Sequence, residues 1–194
     1  MQTNFLLDDS KLFLNHTNLR TKDSNYNLDG LVRLNGGLNL SLKAENVKLR
    51  ELSEIHQLDK LSGIVDLSGE LTGSIASPKF KGDFTAQELK FKQLDTEQIA
   101  GKIDLTPKEI KLKDVRLPEL SSQLAGTIDL VTKRSNLKVT ATNSKANKLL
   151  TALGIDLPVT GITSGSATIT AIQPALTLKG EAKVKYGKFF EQNF

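Results

Sequence analysis

The side chains that could carry out acid–base or metal chemistry are few and scattered in this 194-residue chain. Its two histidines, His16 and His56, lie far apart and have no neighbours at the spacing of a metal site or a Ser-His relay. The adjacent carboxylates Asp8 and Asp9 would point to opposite faces of an extended strand, so they cannot flank a substrate as acid and base. Cysteine is absent, which excludes thiolate sites and disulfides. We therefore predict that the chain is not an enzyme and uses no cofactor or metal.

Binding sites for phosphate or nucleic acid are equally absent from the sequence. Gly36 and Gly37 precede neither a helix nor a Gly-Lys-Ser/Thr motif, so they predict a hairpin turn and not a phosphate cradle. The net charge of +4 comes from 26 basic and 22 acidic residues that are dispersed along the chain. Because no basic run or basic-aromatic stripe stands out, we expect no nucleic-acid partner. The sequence also contains no apolar run long enough for a membrane-spanning helix.

A seven-residue sequence motif recurs four times: an aliphatic residue, any residue, Gly, any residue, Val or Ile, a polar residue, and Leu. The copies begin at Leu28, Leu61, Ile99 and Leu124. Since side chains alternate between the faces of a strand, each copy has one apolar face and one largely polar face. The glycines on the apolar face have two interpretations. The first is that they permit twist or a bend at a sheet corner, the second is that they leave room inside a groove, and the two are compatible.

Similar alternation continues through the chain and predicts an all-β protein. The clearest strand runs from Val65 to Ile75, Pro78 ends it, and a phase slip before Leu89 indicates a bulge or a turn. Two segments have helical spacing instead. The first contains Leu49, Leu52 and Ile55, and the second contains Ala146, Leu149, Leu150 and Leu153 before Gly154. Each helix could be a lid over one end of the apolar face or an ordinary connector.

A longer repeat spans much of the sequence. Segments at approximately 28–91 and 124–189 match each other at offsets that drift only between 96 and 98 residues. Such drift indicates duplication, and stacked repeats form elongated bodies in which each unit contacts its neighbours. We therefore expect residues 1–194 to form one elongated β-repeat segment.

The repeated motif, the run 67–82 (LSGELTGSIASPKFKG), its partner 164–174 and the Leu-Leu, Leu-Gly, Leu-Pro order within 146–161 resemble the AsmA-like/TamB family of long bacterial envelope proteins. The resemblance implies an elongated, strongly curved antiparallel β-sheet, a half-open tube with an apolar concave face and one or two short helices. It implies residence in the periplasm of a diderm bacterium, as part of an inner-membrane-anchored protein. It also implies movement of phospholipids between the inner and outer membranes.

The same resemblance indicates which partners to expect. Phospholipid acyl chains would occupy the groove, and both membranes would be reached through regions outside this chain. An outer-membrane β-barrel protein is a further partner of the TamB branch. The chain lacks the family's transmembrane anchor and barrel-binding region, so it is predicted to be an interior segment.

We predict that one face of the sheet presents aliphatic and aromatic side chains to acyl chains. These residues are Leu40, Leu42, Val65, Leu67, Leu71, Ile75, Phe84, Ile103, Leu105, Ile128, Leu130, Leu137, Val139, Ile169 and Leu178. The first alternative is a scaffold or chaperone that assists outer-membrane β-barrel assembly by strand augmentation. The second is a β-solenoid enzyme or adhesin for glycans, which would need a carboxylate cluster that the sequence does not show.

Overall fold

Strands make up almost all of the protein. The computed structural model describes residues 2–8, 10–50, 61–91, 94–172, 175–189 and 192–193. The strands are β1 (Gln2–Asp8), β2 (Lys11–Arg20), β3 (Asn25–Arg33), β4 (Gly37–Lys48), β5 (Ser62–Ser74), β6 (Ser77–Phe91), β7 (Leu94–Leu105), β8 (Glu109–Leu117), β9 (Ser122–Asp129), β10 (Arg134–Lys145), β11 (Val159–Ile172), β12 (Ala175–Phe189) and β13 (Gln192–Asn193). The one α-helix whose two ends are described is α1 (Ala146–Ala152), and Pro118–Leu120 form a 3₁₀ turn.

All of these strands belong to one antiparallel sheet in which each strand pairs with its neighbours in sequence. The sheet is curved and open, as the resemblance noted in the sequence implies. Because consecutive antiparallel connections alternate between the two ends of a sheet, tight turns such as Asn35–Gly36 collect at one end. The longer connections, including the 3₁₀ turn and α1, lie at the other end. We call these the open end and the capped end.

Hairpin turns at the open end agree with the sequence in one case and differ in another. The amide of Gly36 donates to the carbonyl of Arg33, which confirms the predicted turn there. The strand through Val65 ends earlier than predicted. The turn is formed by Ile75 and Ala76, and Pro78 lies within β6, opposite Gly73. Proline is tolerated there because it is the second residue of the strand.

A line of β-bulges crosses the sheet near the capped end. In each even-numbered strand from β2 to β12 one bulge residue has a positive φ; these residues are His16, Asn46, Glu88, Asp114, Asn143 and Tyr186. A polar side chain on the next strand satisfies the exposed amide at several of them, as where the Asn46 N–H donates to Asp66 Oδ1 at 2.8 Å. The Asn143 N–H likewise donates to Ser164 Oγ at 2.9 Å. The bulge at Glu88 is the phase slip that the sequence predicts before Leu89.

These bulges repeat with the period seen in the sequence. Asn46 in β4 and Asn143 in β10 differ by 97 residues, and Glu88 in β6 and Tyr186 in β12 differ by 98. Strands β1–β6 therefore correspond to β7–β12, and α1 follows β10 where the helical residues Leu49 and Arg50 follow β4. The helix predicted after Asn143 is confirmed as α1. Leu52 and Ile55 of the other predicted helix lie outside the described residues.

The sheet curls enough for its capped end to fold over itself. Helix α1, which follows β10, contacts β11 and also reaches back to β7. The 3₁₀ turn is tied to β7 as well, because the Glu97 amide donates to Glu119 Oε1 at 2.7 Å. The buried core lies at this end: it includes Ala44, Val65 and Val115, of which Val115 is only 1% exposed. None of the described helices is long and apolar enough to cross a bilayer.

Glycines on the inner face explain how the sheet can curl. A Cβ on Gly101 would lie 2.7 Å from the Cα of Val115 on the neighbouring strand. A Cβ on Gly126 would lie 2.8 Å from the Cα of Leu137, and Gly126 has a φ of +145°. These distances are too short for any side chain. The close approach of neighbouring strands in the curved sheet therefore explains why these two positions are glycine. This agrees with the first of the two interpretations.

Replacing Gly101 with Ala should destabilise the protein, because the added methyl would press on the backbone of β8. Overpacking of this kind typically costs about 1–3 kcal/mol, which lowers Tm by about 2–10 °C in a chain of this size. Gly37 is the matched control. It also has no positive φ, and its added Cβ would meet only Arg33 side-chain atoms at 3.5 Å or more. A thermal melt in which G37A is as unstable as G101A would contradict the role given to close strand approach.

Candidate functional site

The inner face of the sheet carries apolar residues in rows that run across the strands. Residues that lie directly opposite each other on paired strands share a face, so the register identifies each row. The middle row consists of Leu28, Leu42, Gly69, Gly82, Ile103, Leu112, Gly126, Leu137, Ile169 and Leu178, each opposite the next. The row contains no charged residue from β3 to β12.

Two further rows flank the middle row. The capped-end row consists of Tyr26, Ala44, Leu67, Phe84, Gly101, Val115, Leu124, Val139, Ala167 and Gly180. The open-end row consists of Gly30, Leu40, Leu71, Phe80, Leu105, Ile110, Ile128, Ser135 and Ala171. Together the three rows form the apolar concave face.

The fifteen residues predicted from the sequence fall mainly in these rows. The middle row contains Leu42, Ile103, Leu137, Ile169 and Leu178; the capped-end row contains Leu67, Phe84 and Val139; the open-end row contains Leu40, Leu71, Leu105 and Ile128. Val65 lies closer to the capped end, opposite Val47 and Ala86. Ile75 and Leu130 occupy turns at the open end, where Ile75 is 61% exposed. Those two residues lie in the turns that border the concave face at the open end, and they belong to none of the three rows.

The concave face is neither a sealed core nor ordinary surface. Of the fifteen residues, only Leu40, Val65 and Phe84 are fully buried, and all the others except Ile75 are half-buried. The whole chain exposes 13100 Å². A compact monomer of 21.2 kDa would expose about 9000 Å². The excess is what an open, single-layer sheet with an uncovered inner face produces.

Helix α1 covers the capped end of the concave face. Leu149, Leu150 and Leu153 line, with residues of β10, β11 and β12, a partly open cavity of about 310 Å³. Its other walls include Val139 and Leu178, which belong to the predicted set. The helix therefore acts as a lid over one end of the groove, which was one of the two roles that the sequence left open for it.

The three rows contain no Asp, Glu, Lys or Arg, and Lys113 and Asp104 on neighbouring strands are an example of charge on the outer face. Lys113 Nζ lies 2.5 Å from Asp104 Oδ2, and this hydrogen bond holds the pKa of the Asp104 carboxyl below its usual range. Both side chains leave the sheet on the side opposite to Ile103 and Leu112. Because the concave rows contain no ionisable group other than the Tyr26 phenol, an apolar guest there would meet no desolvated charge.

Residues that could do chemistry are not brought together. His16 is exposed, and its backbone amide donates to Asp29 Oδ1 at 2.6 Å as part of a bulge. Asp8 is exposed in β1. His56 and Asp9 lie outside the described residues. In the part of the chain that the structure describes, no group of three or more His, Asp or Glu residues is placed to hold a metal.

Sequence reasoning missed two features of this face. The first is the line of β-bulges, of which the sequence pattern indicated only the one before Leu89. The signal was present in the other even strands, since alternation shifts by one residue between Ala44 and Val47 and again between Leu112 and Val115. The second is a set of buried hydroxyls near the capped end without a hydrogen-bond partner among the described residues: Thr17, Thr96, Ser122 and Ser144. No sequence pattern distinguishes these from exposed Ser and Thr.

Comparison of the chain with protein-family models, with curated proteins and with solved structures finds no match.

Truncating a groove side chain should cost much less stability than truncating a core side chain. Val115→Ala removes carbon from a packed site and should cost roughly 2 kcal/mol. Ile169→Ala removes more carbon, yet we expect it to cost less than about 1 kcal/mol, because Ile169 already faces an open groove. Urea unfolding of the two variants makes the comparison. If I169A cost about 2–5 kcal/mol, the inner face would be a sealed interior.

Proposed function

We propose that this chain is a segment of a conduit that moves phospholipids through a hydrophobic groove, with acyl chains lying on the apolar concave face. The observation that carries the proposal is the set of half-buried aliphatic rows that crosses the sheet without a charge. Contiguous apolar surface that remains partly accessible to solvent is typical of a binding site. A glycan or nucleic-acid ligand would instead need polar or charged groups on that face, and the rows offer almost none.

The energetics favour an acyl chain as the guest. Each methylene that passes through water costs about 0.8 kcal/mol, so a long acyl chain meets a barrier of about a dozen kcal/mol. Lying along Leu137, Ile169 and Leu178 would remove much of that barrier. The uncovered side of the curved sheet leaves the polar head group in water, so the head group need not be desolvated.

The location and the larger assembly are part of the same proposal. By its resemblance to the AsmA-like/TamB family, the chain would lie in the periplasm of a diderm bacterium as part of an inner-membrane-anchored protein. Both membranes would be reached through regions outside these residues. No catalytic step is required, because the lipid moves without a covalent change.

A charge placed in the middle row should abolish lipid binding. Leu137→Arg puts a guanidinium among the acyl-binding side chains, whereas Asn136→Arg puts the same group on the outer face of the same strand. The purified proteins are incubated with phosphatidylethanolamine–phosphatidylglycerol vesicles and then analysed by native mass spectrometry. We expect phospholipid bound to the wild type and to N136R, and at least a tenfold loss in L137R.

Transfer of a fluorescent phospholipid between donor and acceptor vesicles provides the second readout. Thermal melts verify that both arginine variants are folded. Equal transfer by L137R and N136R would contradict the groove as the path. A wild-type chain that binds no phospholipid and transfers none above the protein-free rate would contradict the proposal for this segment altogether.

A second candidate function is a scaffold for outer-membrane β-barrel assembly by strand augmentation. It is favoured by the outer edge of β12, which in the described part of the chain pairs with β13 only at Lys188 and Phe189. Backbone groups on such an edge can pair with an incoming client strand. This function would be unaffected by L137R, so a variant that loses lipid binding but still promotes folding of a barrel protein in vesicles would favour it.

A further inference from the structure

The capped end of the first repeat is filled by its own side chains. Directly opposite one another on β4, β5 and β6 lie Ala44, Leu67 and Phe84. Ala44 is 1% exposed and Phe84 is 9% exposed, and Leu67 packs against the same buried core. Leu49, which follows β4, packs there as well. Large apolar side chains therefore occupy this end of the first repeat.

The second repeat has small residues at the equivalent positions. Directly opposite one another on β10, β11 and β12 lie Ala141, Gly165 and Ala182. Their offsets from the first-repeat residues, 97 and 98, are those that relate the bulges of the two repeats. The side chain of Leu67 and the ring of Phe84 thus have no counterpart here. All three small residues line the cavity of about 310 Å³ beside α1, so that cavity takes the place of packed side chains.

The next pair of residues toward the capped end changes from apolar to polar. Val47 and Val65 lie opposite each other in the first repeat, and Ser144 and Thr163 do so in the second. Thr163 lines the cavity, and Ser144 shares its face because the two are directly opposite. Ser144 is 1% exposed, and its hydroxyl has no hydrogen-bond partner among the described residues. An unpaired buried hydroxyl is unfavourable, so a ligand that supplies the partner gains free energy.

We propose that the cavity beside α1 binds a single alkyl chain that carries one neutral hydroxyl or carbonyl group, with the oxygen of that group hydrogen-bonded to Ser144. The volume sets the length of the chain. Because a dry cavity of about 150 Å³ holds benzene, about 310 Å³ accommodates roughly ten carbons of one chain. Leu149, Leu150 and Leu153 of α1 supply the apolar wall that faces the strands.

The lining residues explain why the polar group must be neutral. Glu181 is the one residue among them that can be charged. Its position between Gly180 and Ala182 puts its side chain on the outer face, since side chains alternate along a strand. A carboxylate or ammonium group on the ligand would therefore be desolvated without a counter-ion, which is costly. A hydroxyl or carbonyl group needs one hydrogen bond, and Ser144 provides it.

The cavity differs from the apolar rows in having walls on two sides. A chain along the middle row touches the sheet alone, whereas a chain in the cavity touches the sheet and α1. Contact on both sides and the hydroxyl of Ser144 make this a defined site that holds one molecule. The small residues that create it are present whether or not lipid moves along the rows, so the inference does not rest on the proposed function.

Calorimetric titration with decan-1-ol tests the site. We expect one tight site per chain in the wild type and at least tenfold weaker binding in Ala182→Phe, which restores the residue that the first repeat has at Phe84. Lys183→Phe is the matched control, because it adds the same ring to the outer face of the same strand and should bind like the wild type. Thermal melts verify that both variants are folded.

Ser144→Ala tests the hydrogen bond separately. Losing one neutral hydrogen bond should weaken decan-1-ol binding by about two- to tenfold. The Tm without decan-1-ol should not fall, because the variant removes a buried hydroxyl that lacks a partner among the described residues. Unchanged affinity in S144A would contradict the role of the hydroxyl.

Methyl NMR of the unmodified chain is a measurement that needs no variant. The methyl signals of Leu149, Leu150 and Leu153 should shift on addition of decan-1-ol and saturate at one equivalent, before those of Leu40 and Leu71 in the open-end row change. Shifts that are equal in both sets, or equal binding by A182F and K183F, would overturn the proposal. A wild type that binds phospholipid but not decan-1-ol would contradict the cavity site alone, and the reverse result would contradict the conduit alone.

Discussion

Close approach of neighbouring backbones on the inner face is the constraint on which this structure depends. When a sheet curls, the side chains on its concave side converge, and positions such as Gly101 have no space for even a methyl group. Removing side chains at those points lets the strands bend toward each other. Most of the remaining inner residues are then apolar and half-buried, because the curl brings them near one another without a second layer over the whole face.

The line of β-bulges makes the two ends of the sheet different in shape. Each bulge puts two residues opposite one and increases the twist of its strand, and the even strands all carry one near the capped end. The end with the bulges is where α1 and the 3₁₀ turn cover the face and where Val115 is sealed. The open end has only tight turns and exposed residues such as Ile75. The two ends of the groove therefore differ, although the strands between them are alike.

Period-two alternation was enough to predict the strands and the face to which residues such as Ile103 and Ile169 belong. The three- and four-residue spacing of the leucines before Gly154 predicted α1. Strand ends were harder to predict. The turn at Ile75 and Ala76 has no Gly or Pro at its centre, whereas Pro78, the obvious breaker, is accommodated at the beginning of β6. The extent of curvature could not be obtained from alternation either, because it depends on interstrand distances at Gly101 and Gly126. The lid role of α1 likewise required knowing that β7 lies within reach.

Repetition gives the concave face a property that a single binding pocket lacks. Neighbouring strands are about 4.8 Å apart, and each presents a similar aliphatic or glycine position to a guest in the middle row. A guest that shifts by one strand, for example from Leu137 to Ile169, exchanges one apolar contact for a similar one, so its free energy changes little along the row. Under the proposed function, binding that varies little in this way would hold an apolar chain out of water yet leave it free to slide.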